Sequence, residues 1–146
     1  MTIKEGIEKI KTELEYNMNL LDESERLEIL DNIVSIEDYV FTSPIGSILI
    51  IYKGSSFGEN QSPNVTRQTR TAEIGLILVI NKHALKTKSI EDYIELILNS
   101  VTGMCIDDYM PSYLVSDEWI REEKGVWWYA VTVAFQLNFY NYNTRI

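Results

Sequence analysis

The chain has 146 residues, 45% hydrophobic and 24% charged, which fits one folded domain and excludes the disordered and membrane-embedded classes. A domain of this length buries about 70% of the surface its unfolded chain exposes, so it needs neither a disulfide nor a structural metal. Thirteen Lys and Arg against 22 Asp and Glu leave a net charge of −9, which argues against a surface built to collect phosphates.

The N-terminal stretch MTIKEGIEKIKTELE carries charge on every helical turn. It lacks the apolar core and small-residue cleavage site of a leader, so the expected site of synthesis is the cytoplasm. Thr2 and Glu5 make a T-x-x-E capping box. Ile3, Ile7, Ile10 and Leu14 then stack on one helical face, and the helix is expected to fray near Asn17 to Asn19. Residues Ser24 to Val34 read as a second short turn or helix. Eleven acids against four bases fall in residues 1–40, either as a solvated helical face or as a surface that repels a passing polyanion.

The middle of the chain is strand-like. Ile45 to Lys53, following Pro44, and Ala72 to Asn81 are rich in β-branched residues. The apolar run Ile45 to Tyr52 is broken by Gly46 and Ser47 and is too short to span a bilayer. In the second strand Ile74, Leu76, Leu78 and Ile80 line one face, and Ile77 and Val79 the other. Such a strand is central and covered on both sides, by its own domain or by a neighbouring chain. Between the two strands, residues 54–71 read as a long polar loop.

Ser89 opens a second helix. Its stripe is Ile90, Tyr93, Ile94, Ile97, Leu98 and Val101, with Glu91 and Asp92 in the first turn and Gly103 as the stop. Cys105 is the single cysteine and reads as a small hydrophobe. Glu118 to Arg121 leads into an EEKG turn in which Gly125 supplies a positive φ. From Val126 to Tyr140 the residues alternate, with Trp127, Tyr129, Val131, Val133, Phe135, Leu137 and Phe139 on one side. A strand this long projects past its sheet or bends. Residues 138–146 read as frayed or as an arm that contacts a neighbour.

Convergent catalytic groups are scarce. His83, the one histidine, sits between a strand and a helix and reads as a solvated loop residue. Ser55 and Ser56 in GSSFG have the wrong glycine spacing for a nucleophile elbow. P-loop, G-x-G-x-x-G and HExxH motifs do not occur. Asp107, Asp108, Asp117, Glu118, Glu122 and Glu123 lack the alternating spacing of a calcium loop. The sequence therefore predicts no enzyme, no cofactor and no metal.

The polar loop remains. Loops longer than about 12 residues inside compact domains are functional or disordered. This one is either an idle excursion or a segment that orders on a partner, with Phe57 as apolar anchor and Arg67 and Arg70 as charged contacts.

The order of elements carries a resemblance. A strand ending YKGSSFG, a polar arginine-bearing loop, the strand EIGLILVI, the helix EDYIELILNSVTG and then EEKGVWWYAVTVAF follow an N-terminal amphipathic helix. From about Ile3 to Leu137 the chain resembles the tail terminator, or tail completion, proteins of Mu-like contractile-tailed phages and related tail-like particles. Gly54 to Gly58 and Gly125 to Phe135 are the most specific segments, and residues 17–44 match least.

The resemblance implies an α+β fold, a mixed and mainly antiparallel sheet with two or more helices packed on one face. It implies a structural protein that forms a hexameric ring on the last ring of the tail tube. That ring stops polymerisation and joins the tail to the neck or head. Its partners would be further copies of itself, the tube protein, the sheath and neck or head-completion proteins. DNA would pass through the ring without specific binding, which an acidic chain suits, and no membrane is involved. The expected location is the host bacterial cytoplasm during assembly, then the tail end of the particle. Two rivals stand beside it: a small cytoplasmic adaptor or chaperone-like module, and a minor hydrolase using Ser55 or Ser56 with His83.

Overall fold

The computed structural model describes residues 2–31, 39, 43–104 and 111–141. Helix α1 spans Ile3–Met18. The Thr2 hydroxyl accepts from the Glu5 N–H at 3.2 Å, so the hydroxyl half of the expected capping box is in place. Ile10, Leu14 and Met18 are its buried stripe. A 3-10 turn at Glu23–Glu25 follows, and then strand β1 at Glu28–Leu30.

That strand corrects the expectation of a second helical segment over residues 24–34. Leu27 and Ile29 join the core on one side of the sheet while Leu30 joins a cluster on the other, a period of two rather than 3.6. β1 pairs in parallel with strand β2, Gly46–Phe57. Strand β3 spans Thr66–Asn81 and a 3-10 turn Lys82–Ala84. Helix α2 is Ile90–Val101, β4 is Tyr113–Glu123 and β5 is Val126–Asn141. The sheet order is β1-β2-β3-β5-β4. All pairs except β1 with β2 are antiparallel, giving the expected α+β class with a mixed sheet.

Both helices cover one face. Ile10 and Leu14 of α1 and Tyr93, Ile97 and Val101 of α2 share a core with Ile48, Ile50, Ile74, Leu76, Leu78, Val131, Val133 and Phe135. Each such side chain removed from water contributes about 1.5–3 kcal/mol. α2 starts as its sequence dictates: Ser89 and Asp92 form a reciprocal capping box. The Ser89 N–H donates to the Asp92 carboxylate at 2.8 Å, which holds that carboxyl below its ordinary pKa. Asn17 of α1 donates to Ser100 of α2 at 2.9 Å, fixing one helix against the other.

The opposite face of β3 is covered within the chain. Leu49, Ile77, Val79 and Trp128 form a second cluster with Tyr39 at its margin. The Tyr39 ring stands edge-on to Trp128 at 6.0 Å, and its hydroxyl shares a 2.7 Å hydrogen bond with Ser47. The two apolar faces of β3 therefore find cover at this end of the sheet without a second chain. β4, at the sheet edge, is exposed along nearly its whole length. Its turn to β5 is the Lys124–Gly125 pair, both residues at positive φ, 51° and 80°, the conformation of a tight two-residue hairpin turn.

No helix among the described residues is long and apolar enough to cross a membrane. Cys105, Asp107, Asp108 and residues 142–146 of the expected arm lie outside the described residues.

Candidate functional site

The stretch over residues 54–71, expected as one long loop, is mostly sheet. β2 continues through Ser55, Ser56 and Phe57, which pair with Ala72, Thr71 and Arg70. On the other side Thr66 to Thr71 pair with Asn141 to Gln136. Only residues 58–65 form the turn. Hydropathy hid this extension because a strand needs only backbone partners, and Ser, Thr, Gln and Arg serve a ladder whose side chains alternate without an apolar period. Residues 138–141 likewise belong to β5 rather than to a free arm.

The turn is polar because side chains satisfy its backbone. Asn60 accepts the Arg67 N–H at 2.8 Å and donates to the Ser62 carbonyl at 2.8 Å. Gln68 donates to the Gly58 carbonyl at 2.8 Å, and the Gln61 N–H donates to the Arg67 carbonyl at 2.9 Å. Such short polar side chains replace the partners a loop backbone loses.

The result is a three-stranded arm whose root is set by α1. A Cβ on Gly6 would lie 2.5 Å from Cζ of Phe135, and Phe135 pairs with Ala72. Beyond that contact the arm carries Phe57, half exposed at 50%. A register shift between Tyr52 and Gly54, with Gly54 at φ 130°, turns the far end of β2. Ser55 and Phe57 thereby come opposite Ala72 and Arg70 on the helix side of the sheet.

Arg70 gathers that surface. Its Nε donates to Ser55 Oγ at 2.9 Å and its Nη2 to the Tyr52 hydroxyl at 3.1 Å. Tyr52 and Ser55 share a 2.5 Å hydrogen bond. The guanidinium also lies 5.6 Å from the Phe57 ring centroid, within cation–π range. The Ser55 hydroxyl, joined by the hydrogen bond and charge of Arg70, lowers the Tyr52 phenol below its ordinary pKa against a smaller effect of burial. Two of the five guanidinium N–H donors are thus spent on orientation, and the charge stays at the surface.

Arg67 is not part of this cluster. Three residues from Arg70 on an unbroken strand, it points to the opposite face. Phe57 and Arg70 are brought together as neighbours across the ladder; sequence reasoning missed Tyr52, and Ser55, weighed there only as a nucleophile, is instead a hydrogen-bond partner of Arg70 and Tyr52. Their signal is the Y-x-x-S spacing, readable only once β2 is extended past Lys53 and its bulge is known.

The groups considered for catalysis do not converge. His83 lies against the β4–β5 turn, where a Cβ on Gly125 would meet its ring at 2.7 Å, whereas Ser55 is bound to Arg70 at the far end of β3. No group of three or more His, Cys, Asp or Glu suited to a metal ion occurs among the described residues.

Comparison with curated proteins finds no match. A family model described as Gp37 protein matches residues 27–141, from the residue before β1 to the last residue of β5. The matched span holds the whole sheet and the arm, and it points to a phage structural or assembly protein. With well over half its length matched, the chain belongs to the phage-related Gp37 protein family.

Proposed function

We propose that this protein caps the end of a phage tail tube as an oligomeric, hexameric ring. It stops polymerisation of the tube and joins the tail to the neck or head, without catalysis. The observation that carries this reading is the arm, three strands running past the helices to a surface where Arg70 is held against a half-exposed Phe57. A rigid, pre-ordered aromatic and cationic tip is the kind of anchor that protein interfaces use.

Phe57, Arg70 and Arg67 contact neighbouring proteins in the particle: further copies, the tube protein, and sheath or neck partners. Because Arg67 lies on the other face of the arm, it meets a different neighbour from the one that receives Phe57. The net charge of −9 lets DNA pass the ring without adhering. The protein assembles in the host cytoplasm and ends at the tail terminus.

Electron microscopy of tails assembled with and without the protein tests this. Overlong, uncapped tubes in its absence support termination. Tubes of normal length refute it and favour an adaptor that uses the exposed β4 edge, where Leu114, Val115 and Trp119 are 39%, 48% and 55% exposed.

A further inference from the structure

The helix side of the sheet carries a second surface feature, at the end opposite the arm. A groove of about 560 Å³ opens between the start of α2 and the β4–β5 hairpin, within the roughly 300–1,000 Å³ range of ligand-sized clefts. Ile90 and Ile94 of α2 line it together with Trp119, Trp127 and Tyr129 of the hairpin, and the exposed carboxylates Glu91 and Glu122 complete the lining. Trp119 is 55% exposed, and the indole N–H of Trp127 is buried without an acceptor. Lys82 lies over the Trp127 ring at 5.5 Å, so the lining keeps a surplus of negative charge.

We propose that this groove receives the arm of a second copy of the same chain, with Phe57 entering among the tryptophan and isoleucine side chains and Arg70 meeting Glu91 and Glu122. This rests on the ring reading above and specifies its contact. Charge complementarity selects the occupant. The arm tip is an aromatic beside a cation, and the groove is an apolar lining beside two carboxylates. Among the described residues Arg70 has no carboxylate partner, and Glu91 and Glu122 have no cationic one. Opposite charges around an apolar centre fix register and suppress wrong partners.

Geometry excludes the same contact within one chain. Phe57 pairs with Arg70 and Trp127 pairs with Ile80, ten residues further along β3, a distance of about 33 Å at 3.3 Å per residue. Both patches lie on the helix side of the sheet, at opposite ends of β3. A contact between different patches on identical chains is head-to-tail, and it closes into a ring when the rotation per step allows.

The experiment is a charge swap on the full chain, read by sedimentation velocity and native mass spectrometry over a concentration series into the millimolar range. The wild-type chain is expected to associate weakly and reversibly. Arg70→Glu alone and Glu122→Arg alone each face like charge and associate more than about tenfold more weakly. Mixed in equal amounts they restore association, because the arm bearing Arg70→Glu fits the groove bearing Glu122→Arg, and the native arm of the second variant fits the native groove of the first. Restoration also proves that both variants are folded, and circular dichroism melting of each alone checks this separately. A wild-type chain that stays monomeric throughout, a single variant that associates normally, or folded variants whose mixture stays dissociated overturns the proposal. Tail length under the electron microscope judges termination independently: a chain that caps tails yet fails the swap refutes only the arm-to-groove contact.

Discussion

Gly6 and Phe135 offer a test of how α1 is seated at the root of the arm. A methyl group at position 6 would stand 2.5, 3.0 and 3.2 Å from three carbons of the Phe135 ring, and that ring is wholly buried. In an unhindered helix, Gly→Ala stabilises by about 0.5–1 kcal/mol. Overpacking a ring that cannot move costs about 1–3 kcal/mol, so the clash wins and Gly6→Ala should destabilise by roughly 1–2 kcal/mol. At about 2–4 °C per kcal/mol for a domain near this size, Tm falls by about 2–8 °C. Phe135→Leu removes the far end of the ring and should reverse the sign, leaving Gly6→Ala stabilising by about 0.5–1 kcal/mol in that background. The coupling energy in the double-mutant cycle is then about 2 kcal/mol. Urea unfolding followed by tryptophan fluorescence reads it as midpoint shifts at constant slope. A higher midpoint for Gly6→Ala in the native background, or additive effects of the two changes, would refute the interlock.

Replacing Phe57 by Ala, or Arg67 and Arg70 together by Ala, should alter stability by no more than about 0.5–1 kcal/mol yet abolish capping, seen as overlong tails; unchanged tail lengths would sink the contact assignment. Tyr93 donates to the Glu25 carbonyl at 2.6 Å, so Tyr93→Phe leaves that acceptor unpaired and should cost about 1–2 kcal/mol in urea melts. Burial, with the charges of Glu25 and Asp92 adding, pushes the Tyr93 phenol up to about 12 from 10.0. Its contribution is whole below pH 10 and drains away as pH rises toward 12, and the Phe variant should lack that part of the alkaline slope. Asp92 has the opposite sign: its lowered pKa stabilises above the unfolded value near 3.8 and is lost as pH falls below it. An Asp92→Asn variant should therefore show a flatter acid limb in melts taken from pH 5 to pH 2. Lys124 holds φ 51° in the β4–β5 turn, a conformation Asn tolerates better, so Lys124→Asn should raise stability by up to about 1 kcal/mol.

The elements that were legible in the sequence are those whose cause is local. Ser89 and Asp92 mark the start of α2 and Gly103 its end, because caps act within four residues of the helix they bound. Gly125 marks the hairpin because φ is set residue by residue. The alternation from Trp127 to Leu137 gives the core face of β5 because side-chain period is fixed by the pleat. What stayed hidden depends on distant partners. β1 has three residues and forms only because β2 lies beside it. The far halves of β2 and β3 carry no apolar pattern, so the ladder that holds them is invisible until β5 is placed alongside. The bulge between Tyr52 and Gly54 adds a further obstacle, since one extra residue changes which side chains share a face.

The concealed part of the fold is also the part proposed to act, and the two facts have one cause. A strand whose side chains do not build a core leaves no hydrophobic period to read, yet those side chains remain available to another protein. In the arm the backbone ladder and the Asn60 and Gln68 bonds supply order, and the single large apolar group on its β2 edge, Phe57, stays half in water. Its orientation is inherited from the body of the protein, through Phe135 pressed against Gly6 and paired with Ala72. Loosening that interlock should therefore weaken partner contact without altering any residue at the tip. Phe135→Ala, at a cost of about 3–5 kcal/mol to stability, should lengthen tails at temperatures where circular dichroism still shows a folded chain. Normal tail lengths under those conditions would mean that the arm finds its partner without help from α1.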